Sequence, residues 1–319
     1  MSRNSRRGPG ALALLALVSA AALAFASHVT GATAAAAPGP VVEYWVAAVP
    51  VTWNVVPNGR DAIEHIVFPP EQTTFRTVVY RRFTRDFAKP MPMAAADRGM
   101  IQGPLIRARV GDTILVHFLN LDTAFNRPHS MHFHGVHYRE GSDGAYIPGF
   151  SGPGANVKPG QTFTYRLVAG PDSAGVWPYH DHSPSMVDSI GGGLYGALSI
   201  LAPGEPAPDR EFVVYLESQL GFMTIDGHAF VGNTPVFHAR VGDLVQWDVL
   251  SLGDEFHTFH VHGHRWATPD GAVRDTQTVG PAESYKIRWR EDVPGTWLYH
   301  CHVESHMMNG MIGIYRVSR

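Results

Sequence analysis

The sequence predicts an all-β chain arranged as two β-sandwich or barrel domains, and three observations predict it. Short runs rich in Val, Ile, Thr, Tyr and Phe recur between turn signals along the whole chain. No window of about a dozen residues carries a convincing helical period. The 33 glycines and 24 prolines supply the turns that many short strands require.

In chain order the predicted strands are EYWVAAVPV, TFRTVVYRRF, TILVHFLNL, FTYRLVAG and LYGALSILA, then EFVVYLES, LVQWDVLSL, SYKIRWR, TWLYHCHV and MIGIYRV. Several alternate apolar and polar residues, as strands with one buried face do. Between the two groups, APGEPAPDR at 202–210 breaks the pattern with prolines and charges, and it divides the chain into 38–203 and 204–319.

The two parts repeat each other. GPLIRARVGDTILVHFLNL followed by HSMHFHGVHY parallels NTPVFHARVGDLVQWDVLSL followed by HTFHVHGHRW, with His132 and His134 lying 128 residues before His260 and His262. VWPYHDHS with GGGLYGALSI parallels TWLYHCHVESH with MIGIYRV at an offset of 120. Four segments recurring in one order indicate a duplicated domain.

Residues 1–37 lie outside that repeat. Arg3, Arg6 and Arg7 precede an apolar run from about Ala11 to Ala26, and Ala24-Phe25-Ala26 offers a small-residue cleavage site, the form of a secretory signal peptide. Arg6-Arg7 also allows a twin-arginine signal, although the GPG that follows fits that pattern poorly. The expected mature protein is exported and soluble, with no other run apolar enough to span a membrane. The formal charge of −3 gives no sign of a nucleic-acid partner.

One cysteine, Cys301, excludes an intrachain disulfide even though an exported protein would permit one. Its thiol therefore serves as an intermolecular link, an inert core group or a metal ligand. The histidines decide among these. Four His-x-His pairs occur, His132/His134, His180/His182, His260/His262 and His300/His302. In a strand, residues i and i+2 share a face, so each pair presents two imidazoles to one metal or to neighbouring metals. One such pair is ordinary, but four placed symmetrically in a duplicated chain point to a metal cluster of eight imidazoles.

Cys301 sits between His300 and His302 and must point to the opposite face, towards a different metal. A thiolate, two imidazoles and a long axial thioether are the ligands of a blue copper site. His257 and His306 would supply the imidazoles and Met311 the thioether. In the first half the matching middle residue is Asp181, which lacks a soft sulfur, so only the second half should hold such a site.

HFHG, HDH, HTFHVHG and HCHVESHMMNGM resemble the four copper-binding segments of the multicopper oxidases. Two strand-rich domains, aspartate at the first-half cysteine position and the tail HCHVESHMMNGM resemble the bacterial two-domain small laccases. YWVAAVPVTWNVVPNGRDA with TVVYRRFTRDF also resembles ceruloplasmin-like domains. The resemblance runs from about Val42 to Val317 and implies two cupredoxin-like Greek-key domains.

It further implies four coppers per chain. Type 1 copper would take His257, Cys301, His306 and Met311. Type 2 copper would take His132 and His260. The type 3 pair would share His134, His180, His182, His262, His300 and His302. The family couples one-electron oxidation of a small-molecule donor to reduction of dioxygen to water, and in small laccases the cluster forms between subunits of a homotrimer. By the same resemblance Asp143 matches the acid assigned to proton delivery, and Tyr138 matches the tyrosine beside the cluster. Met311 implies a lower potential than an apolar axial residue would give.

The leading expectation is a laccase-like oxidase of phenols or aromatic amines. The alternative is a metallo-oxidase of cuprous, ferrous or manganous ions. Copper nitrite reductase fits less well, because that pattern places the cysteine site in the first domain. A non-catalytic electron-transfer protein gives no reason for the eight additional imidazoles.

Overall fold

The computed structural model describes residues 39–92 and 99–319. The expected signal segment lies outside these residues. Every one of the ten predicted runs forms a strand, and the helices among the described residues are short, as in Met186–Gly191 and Glu304–Met308.

In the first half, one sheet orders Thr74–Phe83, Val41–Asn54, Thr113–Asn120, Thr162–Val168 and His137–Tyr138. The facing sheet orders Ile106–Arg109, Tyr195–Leu201, Gly175–His180 and His132–Phe133. The second half repeats the plan, with Arg210–Gln219, Leu244–Leu250 and Ser284–Arg290 in one sheet. Its facing sheet orders Val236–Arg240, Ile312–Ser318, Gly295–Cys301 and His257–Val261, with Thr276–Val279 at the edge. Both halves mix parallel and antiparallel pairs in the same places: Val41–Asn54 runs parallel to Thr113–Asn120, as Arg210–Gln219 does to Leu244–Leu250.

Alternation along each strand fills the space between facing sheets. In Thr113–Asn120 the side chains of Ile114, Val116 and Phe118 are buried in the first core, beside Phe133, Tyr165 and Tyr179. In Leu244–Leu250 the side chains of Val245, Trp247 and Val249 enter the second core, beside Phe259 and Tyr299. Each large apolar side chain so buried contributes roughly 1.5–3 kcal/mol.

The halves meet along the opposite face of the Arg210–Gln219 sheet, where Val213, Tyr215 and Leu250 pack against Val176, Tyr195 and Ala197. Polar contacts flank this apolar seam. Glu211 accepts from Ser199 at 2.6 Å and from Gln246 at 3.0 Å, and Lys286 donates to the Ile200 carbonyl at 2.8 Å. The 202–209 connection is held by Glu205, which pairs with Lys286 and Arg288.

The duplication extends to individual contacts. Tyr179 donates to the Pro104 carbonyl at 2.7 Å, and Tyr299 to the Pro235 carbonyl at 2.8 Å. Trp177 and Trp297 each lie over the glycine that follows a His-x-His pair. Gly135 and Gly263 have φ of +69° and +73°, and a Cβ at either would lie within 3 Å of the indole, so only glycine fits. The structure also refines the offset: Tyr179 pairs with Gly196 and Tyr299 with Gly313, so the spacing of 120 shortens to 117 beyond the His-rich turns.

Candidate metal centres

Strand register brings the histidine pairs together. His132 lies opposite His180 in the first half, and His260 opposite His300 in the second. His134 and His262 continue the approach, each donating its backbone N–H across to a carbonyl, Pro178 at 3.1 Å and Leu298 at 2.9 Å. The results are two quartets, His132, His134, His180, His182 and His260, His262, His300, His302. Ring centroids of the contacting pairs in each quartet lie 5.1–5.7 Å apart. Among the described residues, the ring contacts of each quartet close within its own half.

The nitrogens are oriented for metal binding. Nδ1 of His132 donates to the Asp143 carbonyl at 2.7 Å, and Nδ1 of His180 to the Asp181 carbonyl at 2.9 Å. In the second half, His260 Nδ1 donates to Asp275 at 2.6 Å and His300 Nδ1 to Cys301 at 2.8 Å, again to carbonyl oxygens. Fixing the proton on Nδ1 leaves Nε2 with a lone pair for a metal. The Nε2 atoms of His134 and His180 are 3.2 Å apart, and those of His262 and His300 are 3.1 Å apart. Burial, reinforced by the neighbouring imidazoles, pushes His134 down to about 4. Burial also brings His180 to about 4, outweighing its hydrogen bond to Asp181. The neutral form that ligation requires is thereby favoured.

His257, Cys301 and His306 form a third group. The Nδ1 atoms of the two histidines are 3.2 Å apart and lie 4.0 and 3.8 Å from Cys301 Sγ. The in-plane point equidistant from these three atoms is about 2.1 Å from each, close to metal–imidazole bonds of about 2.0–2.1 Å and metal–thiolate bonds of about 2.3 Å. Burial, then the adjacent His306, lowers His257 to about 4. The Thr258 backbone N–H donates to Cys301 Sγ at 3.3 Å. Met311 is fully buried, with its carbonyl accepting from Cys301 N–H at 3.1 Å and its N–H donating to His306 at 3.0 Å. A soft sulfur, two imidazoles and an adjacent thioether residue suit copper.

Tyr138 and Asp143, expected beside the cluster, both flank His132. The Tyr138 ring centroid is 6.1 Å from that of His132, and Asp143 Oδ1 is 3.5 Å from its Nδ1. Burial and the Asp143 carboxylate raise Tyr138 to about 12, so its phenol keeps its proton at neutral pH.

Three features escaped the sequence reading. Asp275 stands to His260 as Asp143 stands to His132, and the offset between the halves pointed near it. Glu255 Oε2 lies 3.2 Å from His306 Nε2, a contact made by a loop without a motif. His129 is buried against Asp181 and Asp122, and the 128-residue offset from His257 would have singled it out.

Comparison with known proteins follows the same division. Residues 80–205 and 206–319 match two multicopper oxidase family models. A probable nitrite reductase-hydroxylamine oxidoreductase fusion protein of Kuenenia stuttgartiensis is 34% identical over 68% of this chain and 27% of its own length. The human ferroxidase HEPHL1 is 28% identical over 86% of this chain and 29% of its own. The chain thus spans under a third of the length of these curated relatives. Among solved structures, a multicopper oxidase superposes with a TM-score of 0.66 at 26% identity, covering 87% of this chain and 89% of that one. A copper nitrite reductase from Nitrosomonas europaea, at 20% identity and a TM-score of 0.65, shares the fold. With two matched models over a duplicated cupredoxin-like fold and a thiolate–imidazole group beside clustered histidines, the chain belongs to the multicopper oxidase family.

Proposed function

We propose that this chain is a laccase-type oxidase that takes single electrons from phenolic or aromatic amine donors and reduces dioxygen to water. The observation that carries the reading is the position of Cys301. Its side chain joins His257 and His306 on one face of the strand, while its neighbours His300 and His302 belong to a quartet on the other. Electron entry and oxygen reduction are thus joined by three consecutive residues.

We assign His257, Cys301, His306 and Met311 as the residues that would hold a type 1 copper, His132 and His260 as those that would hold a type 2 copper, and the other six cluster histidines as those that would hold a type 3 pair. Bound there, copper supplies one-electron redox chemistry at the thiolate site and multi-electron chemistry at the cluster. The protein's own contribution is geometric and protonic. The carbonyls of Asp143, Asp181, Asp275 and Cys301 hold the imidazoles in one tautomer. The Asp143 carboxylate beside His132 is placed to pass the protons that water formation consumes. Tyr138 holds a phenolic proton against Asp143.

Four coppers require both quartets, and within one chain each quartet closes on itself. We therefore read the active form as a homo-oligomer, a trimer by family resemblance, with the first half of one chain meeting the second half of the next. Exposed Ile147 and Phe150 support this. They lie on the loop whose Tyr146 N–H donates to the His182 carbonyl, beside the first quartet.

A second reading, oxidation of a metal ion, is favoured by Glu255 at His306 and by ferroxidases among the relatives. The test is dioxygen uptake by copper-loaded protein across phenols, aromatic amines and ferrous, cuprous and manganous ions. Rapid uptake with a phenol supports the first reading, and a large preference for a metal ion overturns it. In either case Cys301→Ser should lose the visible thiolate–copper band and nearly all turnover.

A further inference from the structure

We infer that Asp181, His129 and Asp122 form a metal-free tie that positions the first half's four imidazoles, at the place where the second half builds its thiolate site. The inference rests on the copper assignments above.

The duplication aligns His257 with His129, Thr258 with Ser130 and Cys301 with Asp181, and the contacts correspond. Thr258 N–H donates to Cys301 Sγ at 3.3 Å, and Ser130 N–H donates to Asp181 Oδ1 at 2.7 Å. His257 Nδ1 faces the sulfur at 4.0 Å, and His129 Nδ1 faces Asp181 Oδ2 at 3.4 Å. The carboxylate thus engages the same backbone amide and the same imidazole as the thiolate does.

The halves differ beyond that point. Met186 occupies the position of His306, so no second imidazole approaches. Instead Ser183 Oγ donates to Asp181 Oδ2 at 2.7 Å. On its far side, His129 Nε2 meets Asp122 Oδ2 at 3.2 Å. Asp122 is itself fixed by the backbone N–H groups of Ala124, Phe125 and Arg127. All three tie residues are almost completely buried, where charge-assisted hydrogen bonds are strong and an unpaired carboxylate would be costly.

The bridge joins the two segments that carry the ligands. Residue 130 leads into His132 and His134, and Asp181 separates His180 from His182. Ser130 adds a strap, its hydroxyl accepting from His182 N–H at 3.0 Å. In the second half, His302 N–H donates to the Thr258 carbonyl at 2.7 Å in place of that strap, and beyond this backbone bond the corresponding segments are joined through Cys301, His257 and His306, whose donor atoms surround the metal position. The first quartet should therefore be set by folding alone, whereas the second is completed by loading.

Hydrogen exchange on metal-free and copper-loaded protein tests this directly. In the metal-free protein the Ser130 amide should exchange at least about tenfold more slowly than the Thr258 amide, and loading should close the gap. Asp181→Asn and His129→Gln should remove that protection and lower cluster copper and the type 2 paramagnetic signal. Both should keep the visible thiolate–copper band, which reports an intact second half. Equal exchange of the two amides in the metal-free wild type overturns the inference. So does full cluster copper with an unchanged type 2 signal in both variants. Wild type that binds no cluster copper would instead sink the functional reading, while the exchange comparison still decides the tie.

Discussion

Single buried side chains show how this chain places charge. Glu291 receives His264 Nε2 at 3.0 Å, Trp289 Nε1 at 3.0 Å, the Tyr315 hydroxyl and the backbone N–H groups of Asp292 and Val293. Burial alone would raise its pKa, but these donors lower it from 4.5 to about 2. A carboxyl depressed on folding adds stability above its unfolded value, and that stability is lost as pH falls through the folded one. Glu291→Gln should therefore cost about 3 kcal/mol above pH 5, with the difference closing near pH 2. Urea unfolding at several pH values measures it. The residue lies in the second core and touches no metal position, so the visible thiolate–copper band should survive.

At the scale of elements, the loop leading to His257 rests on a carboxyl of opposite character. Glu217 accepts from Ser218, and from the backbone N–H groups of Gly253 and Leu252, yet burial dominates and raises it to about 7. A Cβ on Gly253 would lie 2.2 Å from Glu217 Oε1, so the loop packs directly on the acid. Here the sign reverses. The contribution is complete below the unfolded value of 4.5 and declines as pH rises through about 7. Glu217→Gln should flatten that decline, by about 3 kcal/mol in the limit, and thermal melts from pH 4 to 8 would reveal it. A variant that declines as steeply as wild type would exclude this carboxyl as the source.

Elements also mark the limit of what the sequence could tell. The meeting of the four His-x-His pairs in two quartets was legible because strand alternation turns i, i+2 spacing into shared faces, and because the pairs recur in both halves. Asp143 and Tyr138 were legible only through family resemblance. Glu255 and Asp122 were not legible at all. Their contacts with His306 and His129 depend on the conformations of the loops just before His257 and His129, and neither lies in a repeated motif. His129 was in plain view, but its meaning depended on seeing Asp181 fill the place of a thiolate.

For the whole molecule, the proposed copper assignment gives each half an incomplete set of cluster ligands. Phe150, 79% exposed beside the first quartet, is the residue whose alteration should matter most without touching a ligand. On the proposed homo-oligomer with four coppers per chain, Phe150→Asp should weaken assembly and reduce copper towards the single thiolate-bound ion, with the visible band preserved. Light scattering and metal analysis on the same sample check both statements. An unchanged mass with full copper would remove this face from the interface.

The separation of the quartets also has a consequence for inheritance. When a cluster draws half its ligands from each of two chains, a lesion in one half and a lesion in the other need not destroy the same sites. Chains carrying His132→Ala and chains carrying His260→Ala would each be inactive alone. Co-expressed, they would leave some interfaces with two undamaged quartets, and activity would return by complementation between alleles.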